Sequence, residues 1–119
     1  MRIAISALGP DLESPVDEKF GRAMWFVVYD TETGSYQAID NAANRNALQG
    51  AGIGAAETVS NAGAEAVITG HLGPKAFGVL ASLGIEGYVG SGMTVAEAVA
   101  AYERGELERI DEAGEAHAG

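Results

Sequence analysis

Short apolar runs alternate along this chain with segments whose apolar residues recur at helical spacing, and glycine or proline separates most of them. Residues 2–8 (Arg-Ile-Ala-Ile-Ser-Ala-Leu) form a run apolar enough for a central strand. Residues 25–29 and 36–39 flank Asp30-Thr-Glu-Thr-Gly34, whose closing glycine suits a longer hairpin turn, so these two strands are expected to be antiparallel. Residues 66–69 and 85–89 read as two further strands. Between them the pattern predicts an alanine-rich helix over 50–62 ended by Gly63, and a second over 74–83 that opens on Pro74 and ends at Gly84. A third begins at the capping box Thr94-Val-Ala-Glu97, carries Val95, Ala98, Val99 and Tyr102 on one face, and stops at Gly105. Residues 8–22 and 40–49 read as loops. Strands alternating with helices make this an α/β domain.

Composition narrows the class. A chain of 119 residues with 47% hydrophobic content supports one compact domain, assigned to residues 1–110. Residues 111–119 are small and acidic and are expected to form a flexible tail, with His117 a solvated residue inside it. The absence of cysteine removes disulfides and thiolate-held metals. The start of the chain carries one cation and too short an apolar run for a secretory signal, and no stretch reaches membrane-span length, so a soluble, cytoplasmic protein with no membrane partner is expected. A net charge of -10 argues against nucleic acid. Against that acidic background Lys19, Arg22, Arg45 and Lys75 all fall in predicted loops or helix starts, a placement that fits either a small anionic ligand or ordinary solvent exposure.

The densest candidate chemistry lies in Glu65-Ala-Val-Ile-Thr-Gly-His-Leu-Gly-Pro-Lys-Ala-Phe77. Here a buried strand runs into a loop with His71 between Gly70 and Gly73, and then into a helix whose free N–H groups favour an anion, with Lys75 adding a full charge. Gly50-Ala-Gly-Ile-Gly-Ala55 fits the loose dinucleotide fingerprint, but no strand precedes it and no carboxylate closes the next strand. Those glycines are read as close helix-sheet packing, with a place in the pocket wall as the alternative. Asp11, Glu13, Asp17 and Glu18 crowd the first loop without calcium-loop spacing and read as a solvated acidic surface. No nucleophile elbow, paired metal-binding histidines or P-loop is present, so binding is favoured over turnover and no catalytic residue is assigned.

Val16-Asp-Glu-Lys-Phe-Gly-Arg-Ala23, Phe26-Val-Val-Tyr-Asp30, Gly50-Ala-Gly-Ile53 and Ala66-Val-Ile-Thr-Gly-His-Leu-Gly-Pro-Lys-Ala-Phe77, in this order, resemble the dinitrogenase iron-molybdenum cofactor biosynthesis family, as a small stand-alone member. The resemblance reaches to about Leu107. It implies a ribonuclease-H-like three-layer α/β domain, with a five-stranded mixed sheet whose second strand is antiparallel, flanked by helices. It also implies non-covalent carriage of an anionic iron-molybdenum or other metal-sulfur cluster, or its precursor, without catalysis, among metallocofactor-assembly proteins. This chain departs from many cofactor-carrying relatives in having Lys19 where they have histidine before the pair matching Phe20-Gly21. Lysine retains charge but is a poor ligand when protonated. His71 therefore becomes the candidate metal ligand, with Lys19, Arg22, Gly70, Gly73 and Lys75 completing the cofactor-binding set. The loops after the first, fourth and fifth strands would form the rim. The alternative is an interaction module without a metal ligand, using Met24 and Trp25 near a sheet edge; a monomer and a homodimer both remain compatible with the sequence.

Overall fold

The computed structural model describes residues 1–114. A six-stranded sheet in the order β3-β2-β1-β4-β5-β6 is built from Arg2–Ala7 (β1), Trp25–Asp30 (β2), Tyr36–Asp40 (β3), Ala64–Thr69 (β4), Glu86–Val89 (β5) and Arg109–Ile110 (β6). Strands β1, β4 and β5 are parallel, β2 is antiparallel to both its neighbours, and β6 is antiparallel to β5. The helices are Ala42–Arg45 (α1), Ala51–Asn61 (α2), Pro74–Ser82 (α3) and Val95–Glu103 (α4).

Alternation along β1 divides the core in two. Ile3, Ile5 and Ala7 pack with Val27, Ala66, Ile68 and the α4 residues Val95, Ala98 and Val99. Ala4 packs on the other side with Phe26, Val28 and Val67, beneath Ala55 and Val59 of α2 and Ala76 and Leu80 of α3. A strand buried on both faces must be apolar at nearly every position, as β1 is. The result is a mixed sheet between α2 and α3 on one side and α4 on the other. Among the described residues, no helix is long and apolar enough to cross a membrane.

Two elements depart from the sequence reading. The sheet has six strands rather than five: Arg109 and Ile110 pair with Tyr88 and Gly87, and the Val89 N–H donates to the Glu108 carbonyl at 2.9 Å. Two residues are too few to carry a period, so only this tertiary pairing defines β6. The segment 40–49, read as a loop, contains α1. Two of its four residues are alanine, one turn is too short to show a helical period, and it is held by asparagines: Asn44 Nδ2 donates to Asn41 Oδ1 at 2.9 Å and to Thr58 Oγ1 at 3.1 Å. Trp25 is also half-buried against the α4-side core rather than freely exposed, while Met24 remains 38% exposed. His117 and the rest of 115–119 lie outside the described residues; before them, the Gly114 N–H donates to the Leu72 carbonyl at 2.9 Å.

Candidate functional site

The long loop between β1 and β2 is tied down at the carboxyl end of the sheet by buried polar groups. The Ser6 hydroxyl lies 2.7 Å from the Asp17 carbonyl and 2.7 Å from Thr69 Oγ1, joining the ends of β1 and β4 to the loop. Asp17 is buried, correcting its expected solvation, and its carboxylate accepts the N–H groups of Lys19 at 3.0 Å and Met24 at 3.1 Å. Phe20 is 1% exposed and packs its ring 5.2 Å from Phe26. Asn41, at the end of β3, donates through Nδ2 to the carbonyls of Gly21 at 3.1 Å and Ala23 at 2.9 Å. A loop so anchored presents fixed backbone, because each buried polar group would otherwise lose its hydrogen bonds to water without replacement.

This anchoring sets Gly21 and Arg22 against the starts of two helices. Together Gly21, Arg22, Gly50 to Ile53 of the α2 start, and Gly73 to Ala76 of the α3 start line a cleft of about 250 Å³. Close backbone approach makes it possible. A Cβ on Gly21 would lie 2.8 Å from the Gly52 nitrogen, and one on Gly52 would lie 3.2 Å from the Ala76 Cβ. Gly52 thus serves contact between α2, α3 and the loop instead of packing on the sheet, and together with Gly50 it lines the cleft. Gly50 itself is the N-cap at φ 79°, a left-handed conformation open to glycine at little cost.

The cleft is electrostatically positive by construction. Neither helix start has an acidic residue in its first turn or a side-chain cap. The first amide bonded back along α2 is that of Gly54, to the Gly50 carbonyl, and along α3 that of Phe77, to the Gly73 carbonyl. The N–H groups of Ala51, Gly52 and Ile53, and of Lys75 and Ala76, therefore precede the helical ladders at the cleft wall. Pro74 at the first position of α3 has no N–H to leave unpaired. Two helix N-termini concentrate partial positive charge there. Lys75 adds an ammonium that is exposed and forms no ion pair among the described residues. The Arg22 guanidinium donates through Nη1 to the carbonyls of Arg45 at 2.7 Å and Ala47 at 3.0 Å, satisfying the end of α1 while remaining in the cleft lining.

The six residues singled out by sequence fall into two groups. Arg22, Gly73 and Lys75 share the cleft. Gly70 and His71 line a neighbouring hollow with Val89 and residues 108–112 and 114. His71 is half-buried beneath Gly114, where a Cβ would come 2.7 Å from Nδ1 and from Nε2. Lys19 pairs by its backbone with His71 and exposes its side chain. Gly70 serves proximity rather than freedom, since a Cβ there would sit 2.7 Å from the Glu18 Cα. Among the described residues no three His, Cys, Asp or Glu side chains gather in a way that could hold a metal ion. The cleft lining contains none of these residue types, so anything held in it is held by N–H groups, cations and apolar walls.

At about 250 Å³ the cleft is small beside the range of about 300–1,000 Å³ common for drug-sized ligands.

The chain is similar over nearly its whole length to proteins of known structure. The apo form of the orange protein from Desulfovibrio gigas is 39% identical and superposes with a TM-score of 0.92, with 96% of each chain covered. A NifB-like protein from Thermotoga is 35% identical with a TM-score of 0.80, covering 91% of each. An uncharacterized protein of Methanocaldococcus jannaschii is 33% identical over 95 residues, which is 77% of this chain and 80% of that one. Residues 1–105 match the family described as dinitrogenase iron-molybdenum cofactor, and the chain belongs to that family.

Proposed function

We propose that the chain carries an anionic metal-sulfur species, an iron-molybdenum-type cluster or its precursor, as cargo in the cleft between the starts of α2 and α3. The observation that carries this reading is the convergence of two uncapped helix N-termini, Lys75 and Arg22 on one compact cleft in a protein of net charge -10. Family membership supplies the cargo class, and the description of the Desulfovibrio gigas relative as an apo form describes a protein that has a ligand to lose. The chemistry of the lining fits such cargo. Sulfide ligands are large, soft, weak acceptors that sit well against N–H dipoles and apolar walls such as Ile53 and Ala76, while the metals keep the sulfides they arrive with.

In this reading Lys75 neutralises charge, Arg22 holds the α1 end in place and faces the cargo, and Gly73 and Gly50 set the two helix starts. Lys19, Gly70 and His71 form the adjoining loop that fixes the end of β4. His71 is then a neighbour of the cargo site rather than its metal ligand. The protein acts by binding and release within cofactor assembly, without a catalytic step.

The test is anaerobic loading with tetrathiomolybdate, followed by desalting and measurement of retained molybdenum and charge-transfer absorption. Stoichiometric retention that is largely lost in Lys75→Glu and kept in His71→Ala supports the cleft. Retention unaffected by Lys75→Glu and lost in His71→Ala moves the site to the neighbouring hollow. No retention in the unaltered protein removes the cargo reading and leaves the interaction module.

A further inference from the structure

The two edges of the sheet are built differently. At one edge β6 has only two residues, and its Arg109 is engaged by Glu86 at 3.1 Å and Asp111 at 3.5 Å. Short length and charge are the usual defences of an edge against pairing with another chain. At the other edge β3 is longer, and its one charge is Asp40 at its very end. It is five residues long, runs in unbroken register along β2, carries no lysine, arginine or proline, and exposes Tyr36, Gln37, Ala38 and Asp40.

The ladder shows which groups face outward. The Asp30 N–H donates to the Ser35 carbonyl at 2.9 Å, and the Asn41 N–H to the Met24 carbonyl at 3.1 Å. Hydrogen-bonded pairs alternate along an antiparallel ladder, so Ser35, Gln37, Ile39 and Asn41 address β2, while Tyr36, Ala38 and Asp40 turn their N–H and C=O groups away from the sheet. These three residues are self-complementary. An antiparallel copy centred on Ala38 sets Ala38 opposite Ala38 and Tyr36 opposite Asp40. Each pair exchanges two backbone hydrogen bonds, a phenol meets a carboxylate at each end, and no like charges stand directly opposite.

We infer that β3 is a homodimer interface in which a second copy of this chain pairs antiparallel along Tyr36–Asp40 and joins two six-stranded sheets into one of twelve. The interface is small, so association depends on concentration. Each copy carries a charge of -10, so salt favours the dimer by screening their repulsion. Because β3 runs parallel to β1, the two-fold axis places the two clefts at opposite ends of the joined sheet, and pairing leaves both open.

The absence of native cysteine makes the register directly testable. In a hydrogen-bonded antiparallel pair the Cα atoms lie about 5.5 Å apart, inside disulfide reach of roughly 4.4–6.8 Å, whereas two Tyr36 positions would be about 14 Å apart. Under mild oxidation Ala38→Cys should cross-link at least tenfold faster than Tyr36→Cys. Sedimentation equilibrium of the unaltered protein should show the mass doubling with concentration, and more readily in high salt. Ala38→Pro removes an outward N–H without breaking the β2 ladder and should hold the mass at that of one chain, with circular dichroism checking that it folds. Equal cross-linking of the two cysteine variants, or a mass independent of concentration, overturns the interface. Tetrathiomolybdate retention should be the same in Ala38→Pro and the unaltered protein, so failure of the dimer and failure of the cargo site are read separately.

Discussion

Gly21 and Gly52 approach so closely that a Cβ on Gly21 would stand 2.8 Å from the Gly52 nitrogen and 2.9 Å from its Cα. The first long loop and the start of α2 therefore meet backbone to backbone, and that meeting forms the wall of the cleft. Gly21→Ala should force the loop and helix apart, at a cost of about 1–3 kcal/mol by thermal or denaturant unfolding, and should weaken thiomolybdate retention as well. Gly78 offers the contrast, since a Cβ there meets nothing within 4 Å in the middle of α3. Gly78→Ala should raise stability by about 0.5–1 kcal/mol and leave retention unchanged. Equal effects of the two substitutions would contradict the close-contact account.

Asn41 holds the same loop from the other side through its bonds to the Gly21 and Ala23 carbonyls. Asn41→Ala leaves two buried carbonyls without that donor and should cost about 2–6 kcal/mol in denaturant unfolding, from roughly 1–3 kcal/mol per unsatisfied group. Hydrogen exchange should then accelerate in residues 20–24 before it does in β1 or β4. Uniform acceleration would show that Asn41 supports the whole domain rather than the loop.

Lys75 stands at the cleft with no ion-pair partner among the described residues, so its charge is available to cargo. Lys75→Gln should weaken tetrathiomolybdate binding about tenfold and Lys75→Glu considerably more, with the difference shrinking as salt rises. Stability should change by less than about 0.5 kcal/mol in Lys75→Gln, because the side chain is exposed. A binding loss insensitive to salt would argue against a charge role.

Asp30 closes the β2–β3 hairpin, and its Oδ1 accepts the Glu32 N–H at 2.9 Å. That backbone bond, the largest influence on the group, holds its pKa below the ordinary 3.8. A carboxyl depressed on folding stabilises the hairpin above its unfolded value, and the contribution fades as pH falls through the lower folded value. The stability difference between the unaltered protein and Asp30→Asn should therefore be steady at neutral pH and narrow below about 3.8. A gap that widens on acidification would reverse the assignment.

Much of this fold was readable from local rules. The capping box forms as expected, with Glu97 N–H donating to Thr94 Oγ1 and Thr94 N–H to Glu97 Oε1. Gly34, Gly63, Gly84 and Gly105 all adopt positive φ at the ends of the elements they were expected to close. Pro74 opens α3 at its first turn. What local rules miss is direction. Gly70, His71, Gly73 and Lys75 are neighbours in sequence, yet the turn from β4 into α3 sends Lys75 to one cleft and His71 to another, and only the packing of α2 and β6 decides which is which. The burial of Asp17 is hidden from local rules for the same reason, because a carboxylate in an acidic loop looks solvated until the two N–H groups it accepts are in place. The glycines of the α2 start could have been linked to the cleft through Gly21, since glycine in both segments signals a backbone contact.

The most direct measurement is an amide proton-nitrogen correlation spectrum of the labelled protein, titrated anaerobically with tetrathiomolybdate. Cargo held between two helix starts predicts that the largest shifts fall on Ala51, Gly52, Ile53, Lys75 and Ala76, with smaller ones at His71 and Gly114. Shifts concentrated on Gly70, His71 and residues 108–114, with the α2 start silent, would contradict it.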